Sequence, residues 1–144
     1  MNKYLNELFN LDGKVAVVTG AGGHLCSEMA KGLARVGCAV AILDLRLEKA
    51  KAVENNLRTE GLDNVMSIAI DVAKKEEHIS ALKEVLEKFD QVDILINGAG
   101  INSPSPFLEI TLEEWHAVLN SQLTGTFLGC QVFGKHMLER GSGS

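Results

Sequence analysis

Cysteine is scarce in this chain. The three present, Cys26, Cys38 and Cys130, form no CxxC pair, and an odd, sparse set fits a reducing compartment where thiols serve as small core residues. Positive charge is also in deficit: 14 Lys and Arg face 19 Asp and Glu, a net charge of −5. That balance argues against nucleic acid, which favours a basic stripe. No segment approaches the roughly 20 apolar residues of a membrane span. The opening "MNKYLNELFNLDGK" lacks the apolar core of a signal peptide, so the expected location is cytoplasmic. The four histidines, His24, His78, His116 and His136, have no metal-ligand spacing, and no metal is expected. Apart from the closing "GSGS", there is no linker, repeat or low-complexity tract.

What is present is ordinary for a globular chain: 46% hydrophobic and 23% charged residues over 144 positions, enough for one domain around a single core. Apolar runs alternate with helical periodicity. "KVAVVT" (14–19), "CAVAILD" (38–44), "VMSIAID" (65–71) and "VDILING" (92–98) read as strands. Leu25, Met29, Leu33 and Val36 recur at helical spacing, and Gly37 closes that helix. Leu47, Ala50, Val53 and Leu57 mark a second helix, stopped at Gly61; Ile79, Leu82, Leu86 and Phe89 mark a third. A loop holding Pro104 and Pro106 follows. Thr111 and Glu114 have the spacing of a capping box for a short helix through Trp115, and a longer helix runs from about Ser121 to Glu139. The charge runs "RLEKAK" and "KKEEH" read as solvated helix faces.

Strands that are apolar throughout are those buried on both faces of a parallel sheet. Right-handed crossovers then favour a doubly wound α/β sheet in the order 3-2-1-4, with its ligand crevice at the strand C-termini between strands 1 and 4. Candidate ligand-binding residues fall on that edge. Gly20 permits a sharp turn after strand 1, and Gly22 and Gly23 let backbone N–H groups approach a phosphate at a helix N-terminus. Asp44 ends strand 2, 24 residues beyond Gly20. There it is either a ribose ligand, which favours NAD over NADP, or a helix cap. Arg46 nearby is suited to a 2′-phosphate instead. Asp71 ends strand 3, and Asn97, Gly98, Ala99 and Gly100 end strand 4. Together these features point to a dinucleotide or similar nucleotide ligand. The glycine loop lacks the GK[ST] of an NTPase P-loop, and "GSGS" lacks the form of a nucleophile elbow.

"LDGKVAVVTGAGG", Asp44, "IDV", "NGAG" and "LTGTF" (123–127) resemble the N-terminal half of a short-chain dehydrogenase/reductase, from about Leu11 to the end of the chain. "HLCSEMAKGLA" and "QVFGKHMLERG" look like the branch acting on sugar acids, such as D-mannonate oxidoreductase (fructuronate reductase). The resemblance implies a Rossmann-like fold and an NAD(P)-dependent oxidoreductase acting on an alcohol or ketone. It places Thr19 and Gly20 at the start of the family's TGxxxGxG loop, with His24 and Leu25 continuing it. Asp44 then falls at the adenosine ribose, Asp71 and Val72 beside the adenine, and Asn97 to Gly100 on the element supporting the central sheet. His24 and Cys26 stand where the family has its second and third glycines. An imidazole at that place crowds the pyrophosphate or donates a hydrogen bond to it. Cys26 is either packing or a thiol activated by the helix N-terminus. Gln122 stands where the family has an asparagine that holds a proton-relay water, and either mimics it or displaces that water.

The family's catalytic serine and Tyr-x-x-x-Lys have no counterpart here: the one tyrosine, Tyr4, has no lysine four residues on. Residues 1–144 therefore read as a single, incomplete dinucleotide-binding domain. Three functions are weighed: the cofactor-binding half of an oxidoreductase, inactive by itself and meeting a small-molecule substrate only in a complete chain; a non-enzymatic nucleotide-binding or assembly module; and a receiver-like signalling domain, weakened by glycines where acidic residues are needed. The last helix carries Leu123, Phe127, Leu128, Val132, Phe133, Met137 and Leu138, more than one stripe. Part is expected to cover the sheet and part to meet a second copy, with strand 4 left as an unpaired edge.

Overall fold

The computed structural model describes residues 10–144; Tyr4 and the opening segment lie outside the described residues. Four parallel strands, β1 (Val15–Thr19), β2 (Ala39–Asp44), β3 (Val65–Ala69) and β4 (Ile94–Ile96), lie in the order β3-β2-β1-β4. Between and after them run α1 (His24–Arg35), α2 (Leu47–Thr59), α3 (Lys75–Phe89), α4 (Leu112–Leu119) and α5 (Gly125–Arg140). The register sets Ala16 against Val40 and Ile94, and Val18 against Ile42 and Ile96.

Successive strand side chains point to opposite faces, and both faces are covered. Ala16, Val18, Val40 and Ile42 pack with Ala30 and Ala34 of α1 and Ala50, Val53 and Leu57 of α2. Val15, Val17, Ala41 and Leu43 pack with Ala81 and Val85 of α3 and Phe133 and Met137 of α5. That double covering is why the strand sequences are apolar without alternation.

Two helix faces differ from the periodic reading. On α1 the buried residues are Cys26, Ser27, Ala30 and Ala34, while Leu25, Met29 and Val36 are exposed. Small side chains let α1 approach the sheet closely, and proximity outweighs the area the larger ones would bury. On α3 the buried residues are His78, Ala81 and Val85, with Ile79 exposed. "KKEEH" is thus not a wholly solvated face: its histidine is in the core. The capping box forms as expected, Thr111 Oγ1 accepting the Glu114 N–H at 3.2 Å and Glu114 Oε2 accepting the Thr111 N–H at 2.9 Å.

The short and long C-terminal helices are not separate. A π-helical turn, Asn120–Thr124, joins α4 to α5 without a break. At its far end α5 stops at Gly141, φ +70°, where Ser142 donates its N–H to Met137 O at 3.1 Å. The chain then reaches β4. Ser144 donates to Asp93 O and accepts from Leu95 N–H, both at 2.9 Å. Arg140 Nη1 donates to Val92 O at 2.9 Å, and Val92 donates its N–H to His136 Nε2 at 3.3 Å. The outer edge of β4 is therefore not left unpaired, because α5 and the residues after it return to satisfy part of its backbone.

Candidate functional site

Thr19 ends β1 with its side chain buried. Its Oγ1 accepts the N–H groups of Gly98 and Ala99, at 3.1 and 3.2 Å, and donates to Ile96 O at 3.4 Å. One hydroxyl thus ties the end of β1 to the chain leaving β4. Gly20 follows at φ +67°, and a Cβ there would lie 2.8 Å from Ala99 Cα, backbone against backbone. Only glycine fits both the conformation and the space.

α1 begins at His24 with Gly23 as its N-cap; no side chain caps it and its first turn holds no acidic residue. The first N–H groups of a helix have no intrahelical acceptor. Here they meet a cleft lined by Gly20, Gly23, His24, Leu25 and Cys26, so the partial positive charge of the helix end is available to an anion. His24 is exposed. Cys26 is 8% exposed; its sulfur occupies the space that a Cβ on Gly98 would take, with Sγ 3.6 Å from Gly98 O. Burial, and then the negative charge of Asp44, push the thiol pKa up. Of its two readings, packing is the one the geometry supports.

Asp44 is buried yet lines the same cleft. Its Oδ2 accepts the Gly22 N–H and its Oδ1 the Arg46 N–H, each at 3.0 Å, and Arg46 Nε lies 4.0 Å from Oδ1. Asp44 therefore holds the glycine loop and the start of α2 at once. A carboxylate offers about four acceptor directions, which leaves capacity for ligand hydroxyls.

The other walls come from β3 and β4. Ile70, Asp71 and Val72 line one side; Gly98, Ala99, Gly100 and Ile101 line the other. Asn97 serves the helix layer instead: its Nδ2 donates to Cys130 Sγ at 3.4 Å, and its Oδ1 lies where a Cβ on Gly129 would go. Gln122 sits in the π turn, its Nε2 donating to Ile101 O at 2.8 Å. A Cβ on Gly100 would lie 2.8 Å from Gln122 Cγ, so the side chain presses on the loop that forms the cleft wall. Its neighbour Ser121 lines the cleft directly, its Oγ accepting Ile101 N–H at 3.3 Å and donating to Val118 O at 3.0 Å.

Sequence reasoning missed Leu45, Ile70, Ile101 and Ser121 as lining residues. The first three are apolar residues at strand ends and in a loop. Ser121 lies in the π turn, a distortion common at functional sites. The cleft has a volume of about 570 Å³, within the range of small-molecule sites. An uncapped helix end, a glycine-rich loop, a carboxylate and an apolar wall in one cleft fit the phosphates, ribose and base of a dinucleotide.

A sequence profile of the family described as short chain dehydrogenase matches residues 14–144. D-threitol dehydrogenase of Mycolicibacterium smegmatis is 39% identical over 136 residues, covering 94% of this chain and 52% of that protein. The structure of a gluconate 5-dehydrogenase from Burkholderia cenocepacia in complex with NADP and tartrate superposes with a TM-score of 0.86 at 34% identity, over 96% of this chain and 54% of its own. NAD+-bound xylitol dehydrogenase superposes with a TM-score of 0.86 at 32% identity, over 94% and 51%. The chain thus spans about half the length of the relatives it matches.

Proposed function

Because this chain belongs to the short-chain dehydrogenase family, we propose that residues 1–144 form the dinucleotide-holding part of a cytoplasmic NAD(P)-dependent oxidoreductase acting on a polyol or sugar-acid alcohol and its ketone. The single observation that carries the reading is the convergence of the uncapped α1 N-terminus, the glycine loop, Asp44 and the Asp71-Val72 pair on one cleft. When bound, the nicotinamide supplies or accepts the hydride. The residues of this chain bind and orient. The α1 amides and His24 would hold the pyrophosphate, and Asp44 would accept hydrogen bonds from the ribose hydroxyls. Asp71 and Val72 would hold the base, and Gly98 to Gly100 would supply the opposite wall of the site. Gln122 shapes that wall through Ile101.

NAD(H) is the proposed cofactor. A second phosphate on the ribose would bring negative charge against Asp44, and Arg46 is already engaged by the same carboxylate. Calorimetric titration with NADH and NADPH is expected to show the tighter binding for NADH, with Asp44→Ala weakening NADH about tenfold or more, the scale of a hydrogen bond to a charged group. Tighter NADPH binding would overturn the preference; no binding of either would overturn the dinucleotide reading. Hydride transfer also needs a positioned proton donor. With Tyr4 the one tyrosine, the 144-residue chain alone is expected to give no turnover of xylitol, threitol or gluconate with NAD. A steady change in absorbance at 340 nm would refute this.

A further inference from the structure

We propose, on the dinucleotide reading above, that Cys26 is a positioning residue for the cofactor. Its side chain is the spacer between α1 and the chain leaving β4, matched in size to the missing side chain of Gly98. The match sets the wall on which the nicotinamide-bearing half of the cofactor would rest.

The pairing follows from space, not from backbone conformation. Gly98 is not one of the glycines with positive φ, so an alanine could adopt its backbone angles. What forbids a side chain there is Cys26. A Cβ on Gly98 would run into Cys26 Sγ, while Cys26 Cβ would be 3.6 Å away, an ordinary contact. Thr19 O, at 3.1 Å, would be the remaining close neighbour. The buried sulfur therefore fills room that a methyl group on Gly98 would otherwise take.

Thr19 and Cys26 hold Gly98 between them. Thr19 Oγ1 accepts its N–H at 3.1 Å and that of Ala99 at 3.2 Å. Cys26 Sγ lies 3.6 Å from its carbonyl oxygen. Burial and the charge of Asp44 raise the thiol pKa, which keeps the S–H as a weak donor to that carbonyl. Thr19 belongs to β1 and Cys26 to α1, so the start of the loop after β4 is pinned to both. A larger group on either side of the Cys26–Gly98 contact pushes the loop away from α1, and a smaller one lets it settle closer.

The place of this contact decides which part of the cofactor feels it. In the order β3-β2-β1-β4, Asp44 ends β2 and the Asp71-Val72 pair follows β3, all on one side of β1. The N-terminus of α1 follows β1 itself, and Gly98 to Ile101 leave β4 on the other side. With the adenosine at β2 and β3 and the pyrophosphate at α1, the second nucleoside falls on the β4 side of the cleft, against Gly98, Ala99, Gly100 and Ile101.

The test compares NADH with ADP, which carries the adenosine and pyrophosphate without the second nucleoside, by calorimetry on the full chain. Gly98→Ala puts two groups in one place and should weaken NADH about tenfold or more, the scale of overpacking. Cys26→Ala removes the spacer and should weaken NADH about threefold. In the double variant the methyl group at position 98 takes the place of the sulfur. Its NADH affinity should return to within about threefold of wild type instead of adding the two losses. ADP should change by less than about twofold throughout; a merely structural contact would not separate the two ligands. Gly98→Ala binding NADH as wild type does, or a double variant no better than Gly98→Ala, would overturn the match. Parallel loss of ADP and NADH would overturn the assignment to the nicotinamide-bearing half. Either result leaves the cofactor reading intact, whereas a wild-type chain that binds neither ligand overturns that reading as well. Should Gly98→Ala not fold, a cooperative melt regained in the double variant shows the match, and its absence refutes it.

Discussion

At the scale of single residues, the cleft is built by contacts in which one side chain occupies the room another lacks. Cys26 fits where Gly98 has no Cβ, Gln122 presses on Gly100, and Val72 sits over Gly125. These pairs explain why the glycine loop tolerates a cysteine: the position needs a small group where α1 meets β4, and a thiol is small enough. Burial should also make that thiol slow. Under native conditions a disulfide reagent is expected to modify exposed Cys130 rapidly, and buried Cys26 and Cys38 only on the timescale of opening. Both buried thiols have pKa values raised first by burial, with a nearby carboxylate, Asp44 or Asp93, adding to it. The thiolate is the reactive form. Labelling of Cys26 as fast as that of Cys130, followed by peptide mass spectrometry, would contradict the packed contact. Thr19, Gly20 and Asp44 were legible in the sequence because their roles follow from residue type at a strand end. His78 was not. A histidine inside a charged run carries no signal of burial, and only the fold reveals that its turn of α3 faces the core.

At the scale of elements, the order of strands and helices was readable because a doubly covered sheet requires apolar strands and a helix after each. Which face of α1 and α3 turns inward was not readable from large apolar residues alone, since Ala30, Ala34 and Ala81 win the buried places by allowing close approach. Nor was the fusion of α4 to α5, because a π turn has no residue signature comparable to a cap. α5 is anchored to β4 by a charge cluster at the sheet edge opposite the cleft. Asp93, 4% exposed, accepts from Val15 N–H at 2.9 Å, Gln91 Nε2 at 2.8 Å, Lys14 Nζ at 3.3 Å and Arg140 Nη1 at 3.4 Å. Burial alone would raise its pKa; the Val15 amide, Lys14 and Arg140 outweigh it and hold the carboxyl below its ordinary value. A group depressed in this way adds stability above its unfolded pKa, about 3.9 for aspartate, and gives it up as pH falls through the folded value. Asp93→Asn is therefore expected to cost about 1–3 kcal/mol at pH 7, with the gap to wild type narrowing below about pH 4. Urea unfolding at pH 7 and at pH 3 measures it; a gap independent of pH would show that the charge contributes nothing.

At the scale of the whole molecule, the notable feature is how α4 and α5 divide their apolar residues. Leu128, Val132, Phe133 and Met137 face the sheet and are buried. Leu112, Trp115, Leu123 and Phe127, from the same continuous helical stretch, are 76%, 49%, 67% and 60% exposed. Phe107 and Leu108, in the 3-10 turn just before α4, are 82% and 93% exposed. Scattered apolar residues on a surface are unremarkable, but a run of them along one helical stretch marks a partner surface or an aggregation site. The β4 edge is the weaker candidate for such contact, since Ser144, Arg140 and His136 already engage its backbone. Self-association through the helical face is the expectation to test, with a two-fold axis laying Phe127 and Leu123 of one copy against the same residues of the other. Light scattering at micromolar concentration is expected to give a mass well above the 15.5 kDa of one chain. Phe127→Glu should shift it toward the monomer, because a charge at the centre of an apolar interface has no partner there. A wild-type chain that remains monomeric at these concentrations would defeat the expectation. Association unchanged by Phe127→Glu would instead move the contact to another surface, the outer edge of β4 being the first to examine.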